Sequence, residues 1–148
     1  MNLQQRLTSN AHWFLRAGIV SVFLYHGILK LMNLQGFADM LPISYAEVLL
    51  VALAEVGGSL LIILGGFGND RVSDALTRVG AFLNLPVMIG AVAMVHWGRW
   101  NFLPSESHPA GGMEFQVVLG LIMLYIVFTG NKGIGPVGSR LTGPAECA

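Results

Sequence analysis

Seven polar side chains stand inside or at the ends of apolar stretches of this 148-residue chain: Arg16, His26, Lys30, Glu55, Asn84, His96 and Glu114. Carboxylates and imidazoles can take up and release protons, and with ammonium or guanidinium groups they can bind a polar head group. Glu55, His26 and His96 are the candidates for catalysis, by binding a carbonyl or relaying protons. A carboxylate kept partly protonated by burial can act as a donor. Arg16, Lys30, Glu114 and Asn84 are the candidates for contacting a substrate and tuning that group. Two histidines and two glutamates also resemble an oxygen–nitrogen metal site, or two axial haem ligands. No local pattern such as Glu-x-x-His accompanies them, so no metal is assigned. Gly133-Ile-Gly135-Pro-Val-Gly138 has no preceding strand or following helix, and is not a dinucleotide fingerprint.

The elements that must carry these groups follow from composition. Hydrophobic residues make up 54% of the chain and charged residues 11%, with a mean hydropathy of +0.66. A soluble domain carries about 25% charge. Eight Lys plus Arg balance eight Asp plus Glu, which excludes the basic excess of a nucleic-acid binder. The single Cys147 excludes an intrachain disulfide or dithiol pair. Four apolar segments stand out, at 11–32, 46–67, 79–98 and 113–130. A helix of about 20 residues spans the hydrocarbon layer. In lipid the backbone must bond to itself, so the expected fold is all-α: an integral membrane four-helix bundle of up-down topology, residues 1–148 forming one transmembrane domain. Pro86 should kink the third span. The connectors 33–45, 68–78 and 99–112 read as loops. The first span is retained in the mature chain, because Arg16, His26 and Lys30 interrupt it and no clear signal cleavage site follows. Trp13, Trp97 and Trp100 fit interfacial positions.

Five Lys and Arg on the side of the termini (Arg6, Arg71, Arg78, Lys132, Arg140) against Lys30 and Arg99 on the other place both termini in the cytoplasm. A charge at the bilayer centre costs about 2.5–3.5 kcal/mol on insertion scales, so such groups should face inward and be paired. Arg16, His26 and Lys30 fall within an arc of about 80° on the first helix. The simplest satisfied arrangement pairs Glu55 and Glu114 with Lys30, Arg16 or a protonated histidine, near the outer face. Each residue also has a purely structural use. Glu55 with Arg16 or Lys30 can lock helices together, Lys30 can reach the interface, and a single histidine can be a hydrogen-bonded core residue. Asn84 can join helices, Gly57-Gly58 can admit a close neighbour, and Glu106 and His108 can be solvated.

Over roughly residues 14–139 the chain resembles the DoxX family of small membrane proteins. The motifs are Leu15-Arg16, Tyr25-His26-Gly27 with Lys30, Ala54-Glu55-Val56-Gly57-Gly58 with Leu64-Gly65, Thr77-Arg78, His96, Gly112-Met113-Glu114-Phe115 and Thr129-Gly130. The connector from Asn69 to Leu76 is longer than the turn usual in that family. The resemblance implies a membrane component of a quinone-linked redox system, handling sulfur compounds or redox stress. It implies no covalently bound cofactor, a quinone entering between helices, redox partner subunits and a bacterial inner-membrane location. A non-catalytic assembly or accessory subunit is the rival expectation, and a small-molecule transporter or channel a third.

Overall fold

A computed structural model describes residues 10–134, and its regular elements are all helices; among the described residues no β-strand forms, only an isolated bridge between Ser105 and His108. Helix α1, His12–Met32, carries the first apolar segment. Asn33 ends it with a non-helical backbone (φ −147, ψ 59), and its side chain accepts from the Gly36 amide at 3.1 Å to start α2, Leu34–Met40. This short helix occupies a connector expected to be a loop. Helix α3, Tyr45–Leu64, begins at a capping box in which Ser44 and Glu47 satisfy each other's backbone amides.

Helix α4, Arg71–Ala91, starts eight residues before the apolar segment at 79. Its first two turns are polar, so hydropathy misses them. The start is set by Asp70, whose carboxylate accepts from the Ser73 amide at 2.8 Å. The helix runs through Pro86 without a break. Its departure from α geometry comes later, as a π-turn over Val92–His96. Helix α5, Glu114–Thr129, and the single turn α6, Asn131–Ile134, complete the described chain. The readings made for Arg6, Arg140, Cys147 and the tail beyond 134 lie outside the described residues.

Helix α3 packs between α1 and α4, and α5 packs on α4. The α3–α4 seam is antiparallel and tight. A methyl group on Gly58 would lie 2.5 Å from Asn84 Nδ2, and one on Gly80 would lie 2.5 Å from the Gly58 carbonyl. Only glycine permits this approach. Ile19, Val20, Phe23, Ile62, Met123 and Ile126 fill the core. Large apolar side chains such as Phe14, Leu50, Phe82, Leu121 and Phe128 point outward. Among the described residues three helices are long and apolar enough to cross a membrane, and α5 is a shorter apolar helix. Outward-facing apolar side chains on such helices are stable in lipid and costly in water. The chain is therefore an integral membrane helical bundle. Between α1 and α5 lies an apolar groove of about 340 Å³, lined by Leu15, Val118, Leu121, Ile122 and Tyr125.

Candidate functional site

The polar side chains sort into separate clusters at the two ends of the bundle. At the end bearing the first and third connectors, Lys30 Nζ of α1 lies 2.8 and 2.7 Å from the two carboxylate oxygens of Glu55 on α3. Glu55 is 2% exposed and Lys30 13%. Gly27 makes this possible: a methyl group there would sit 2.9 Å from Glu55 Cβ and 3.2 Å from the Ala52 carbonyl. The helices therefore touch one turn before Lys30, and its stem can reach across. Phe37 of α2 covers the ammonium group with its ring centroid 5.8 Å away. Each charge is the buried partner that offsets the other inside the bundle.

His26 lies one turn before Lys30, but its ring is exposed on the outer wall of α1 with Tyr25 edge-on to it. It is thus not a member of an enclosed cluster. The cause is angular: within the 80° arc read from the sequence (estimated at about 100° per residue) His26 is the outermost member, just past the buried sector. It borders the Lys30–Glu55 pair from the lipid side.

Arg16 does not join that pair. Although on the same helix, it lies about four turns away, at the end where the chain enters. It is 1% exposed. It donates to the Ile62 carbonyl, to Thr77 Oγ1 at 3.2 Å, to Asn131 Oδ1 at 2.8 Å and to His12 Nδ1 at 3.2 Å. Asn131 in turn donates to the Gly65 and Gly68 carbonyls, and its amide reaches Asp74. Asp74 holds Arg78 at 2.7 Å, and Arg78 caps the carbonyls of Val127 and Phe128. Five helices (α1, α3, α4, α5 and the single turn α6) and the 65–70 turn are tied together here. The expectation that Arg16 shares a network with Glu55 is corrected: azimuth put it on the inward face, but depth put it at the other end.

His96 and Glu114 form a third group, at the Lys30–Glu55 end. The π-turn swings His96 inward, and its Nδ1 lies 2.9 Å from the Gly111 carbonyl. A carbonyl only accepts, so Nδ1 carries the proton. Nε2 then accepts from Gln116 Nε2 at 3.0 Å. Gly111 has φ +80, and a methyl group there would collide with the Phe102 carbonyl; the loop needs glycine to present the Gly111 carbonyl to His96. Glu114 opens α5 and accepts from the Phe102 amide at 3.3 Å. Its negative charge suits a helix N-terminus. His108 Nε2 meets the Trp97 carbonyl at 2.9 Å, tying the loop to the end of α4.

Asn84 is completely buried at the α3–α4 seam, its amide nitrogen donating to the Gly80 carbonyl at 3.2 Å. Among the described residues no three His, Cys, Asp or Glu side chains converge as a metal site would need. The structure thus brings together Lys30 and Glu55, with His26 at their edge. It keeps Arg16 apart, and gives His96 and Glu114 loop-holding bonds of their own.

Sequence reasoning missed Gln116, Asn131 and Ser59, and held Thr77 only as part of the Thr77-Arg78 motif. Ser59 sits one turn from Glu55 on the same face, a spacing visible in the sequence; Asn131 is recognisable only once α5 returns it beside Arg16. No curated protein and no solved structure matches the chain significantly. A family model does match, described as DoxX, over residues 11–97. That stretch takes in α1, α3, α4 and the π-turn, hence the Lys30–Glu55 pair, His26, Arg16 and His96. The chain belongs to the DoxX family.

Proposed function

We propose that the chain is the membrane component of a quinone-linked redox system, and that the carrier's head group docks where His26, Lys30 and Glu55 meet the lipid. The observation that carries this is the exposed His26 ring beside an otherwise buried ion pair. A polar side chain on a lipid-facing wall is costly unless something polar meets it there. A lipid-soluble molecule with ring carbonyls fits. His26 and Lys30 supply N–H donors to a carbonyl oxygen, and Glu55 holds Lys30 in place and is the group to exchange a proton with it. The excess of Lys and Arg on the side of the termini supports placing this edge in the outer half of the membrane. His96 and Gln116 shape the neighbouring loop, and Arg16 acts at a distance, by fixing the bundle.

Equilibrium binding of a short-chain ubiquinone or menaquinone to the full chain in lipid nanodiscs tests the proposal. Wild type binds; His26→Ala and Glu55→Gln weaken binding by at least about tenfold, the loss of roughly 1.4 kcal/mol. Equal affinity in all three overturns it. The accessory-subunit reading rests on a different observation, the open apolar groove between α1 and α5. It predicts co-purification of a larger subunit that Leu121→Glu abolishes while quinone binding is absent from the start.

A further inference from the structure

We propose that Ser59 and Asn84 hold internal water in the bundle core beside the α3–α4 seam, and that this water continues the hydrogen bonding of Glu55 toward the Arg16 end of the bundle. Both residues are 0% exposed. Ser59 Oγ and Asn84 Oδ1 are each shielded from the surroundings and have no hydrogen-bond partner. A buried serine in a helix ordinarily bonds the carbonyl one turn back; Ser59 does not. Leaving one such group dry is costly, and leaving two at the same level is more so.

The level is set by the packing. Gly65 faces Thr77, Gly80 faces Ile62, and Gly58 faces Asn84, so Asn84 lies beside Gly58 and level with Ser59 of α3. Glu55 is one turn away from Ser59 in one direction. Ile62, whose carbonyl takes the Arg16 guanidinium, is just under one turn away in the other. The two charged centres are therefore about 10 Å apart along α3, with the two unpartnered oxygens midway. Buried water occupies sites of this kind when it finds two or more polar partners. Here it finds a hydroxyl, an amide oxygen and the lone pairs of Glu55 that Lys30 leaves free. Such water gives Glu55 a second partner, and a way to exchange its proton with the interior when a ligand engages Lys30. This deepens the role proposed for Glu55 but does not require the carrier.

Water-edited solid-state NMR of the isotopically labelled full chain in phosphatidylcholine–phosphatidylglycerol vesicles tests it, without quinone. Polarisation from water is expected at the Asn84 side-chain amide and at Ser59, as well as at the Lys30 amine, and Asn84→Leu should abolish it at Ser59. Transfer that reaches Lys30 but neither Ser59 nor Asn84 overturns the proposal. A melting curve of Ser59→Ala gives an independent sign should the leucine variant fail to fold. Deleting a hydroxyl that binds water lowers Tm, whereas deleting a dry, unpaired one raises it and overturns the proposal. Lost quinone binding with the water signals intact would count only against the proposed function.

Discussion

Arg16 and Asn131 are 115 positions apart in the chain, yet Nη2 of the one donates to Oδ1 of the other at 2.8 Å, both side chains being buried. This bond joins the first helix to a residue just past the end of α5. Asn131→Ala removes it together with the bonds to Gly65 and Gly68, and leaves buried groups unpaired at about 1–3 kcal/mol each. A marked loss of thermal stability in detergent is expected. Arg16→Lys should do nearly as much harm despite keeping the charge, because an ammonium group lacks the planar fork that reaches Ile62, Thr77 and Asn131 at once.

For the Lys30–Glu55 pair the expectation is non-additivity. Lys30→Met or Glu55→Met alone strands a buried charge, a loss of about 3–5 kcal/mol. The double substitution removes both charges and should recover most of that loss. A double-mutant cycle on unfolding in detergent measures it; additive losses would show that the pair is not coupled.

The α3–α4 seam makes a contrast between neighbouring glycines. Gly80→Ala puts a methyl group 2.5 Å from the Gly58 carbonyl and 2.9 Å from the Ile62 nitrogen, and should cost about 1–3 kcal/mol as the helices part. Gly57→Ala meets nothing within 4 Å. It should be neutral or stabilising, since alanine favours a helix over glycine by up to about 1 kcal/mol. Thermal melts of the two variants check the difference.

Asp70 gives a pH dependence. The Ser73 backbone amide bonded to its carboxylate holds it below the usual carboxylate range. A group whose folded pKa is depressed contributes stability that is fully present above its unfolded pKa and is lost as pH falls through the folded value. Melting temperature should therefore fall on acidification below about pH 4, the unfolded range of aspartate. Asp70→Asn keeps a capping oxygen but cannot titrate, and should flatten that limb of the profile.

Much of this architecture was legible in the sequence, because long apolar runs in lipid can form little else. The four long apolar helices fall close to the segments read from hydropathy, except where α4 begins. There the polar turn Arg71–Arg78 concealed a helix that only the cap at Asp70 announced. Of the polar cluster, the sequence put Arg16 and Lys30 on an inward face of α1 but did not show the depth at which each finds its partner. Arg16 and Lys30 share an inward face of α1 and serve opposite ends. His26 sits at the edge of that face, where a small rotation decides between core and lipid. His96 depended on a π-turn, and no local residue pattern marks the register change that aims it at Gly111 and Gln116.

The most direct test of the proposed docking edge is photo-crosslinking of the full chain in nanodiscs with an azidoquinone, followed by mass spectrometry of the labelled peptides. Labelling concentrated on α1 around Tyr25–Leu29 and on α3 near Glu55, displaced by unlabelled quinone and lost in His26→Ala, is the predicted result. Labelling confined to the α1–α5 groove around Leu121, or undisplaced and scattered over the lipid-facing surface, would contradict it.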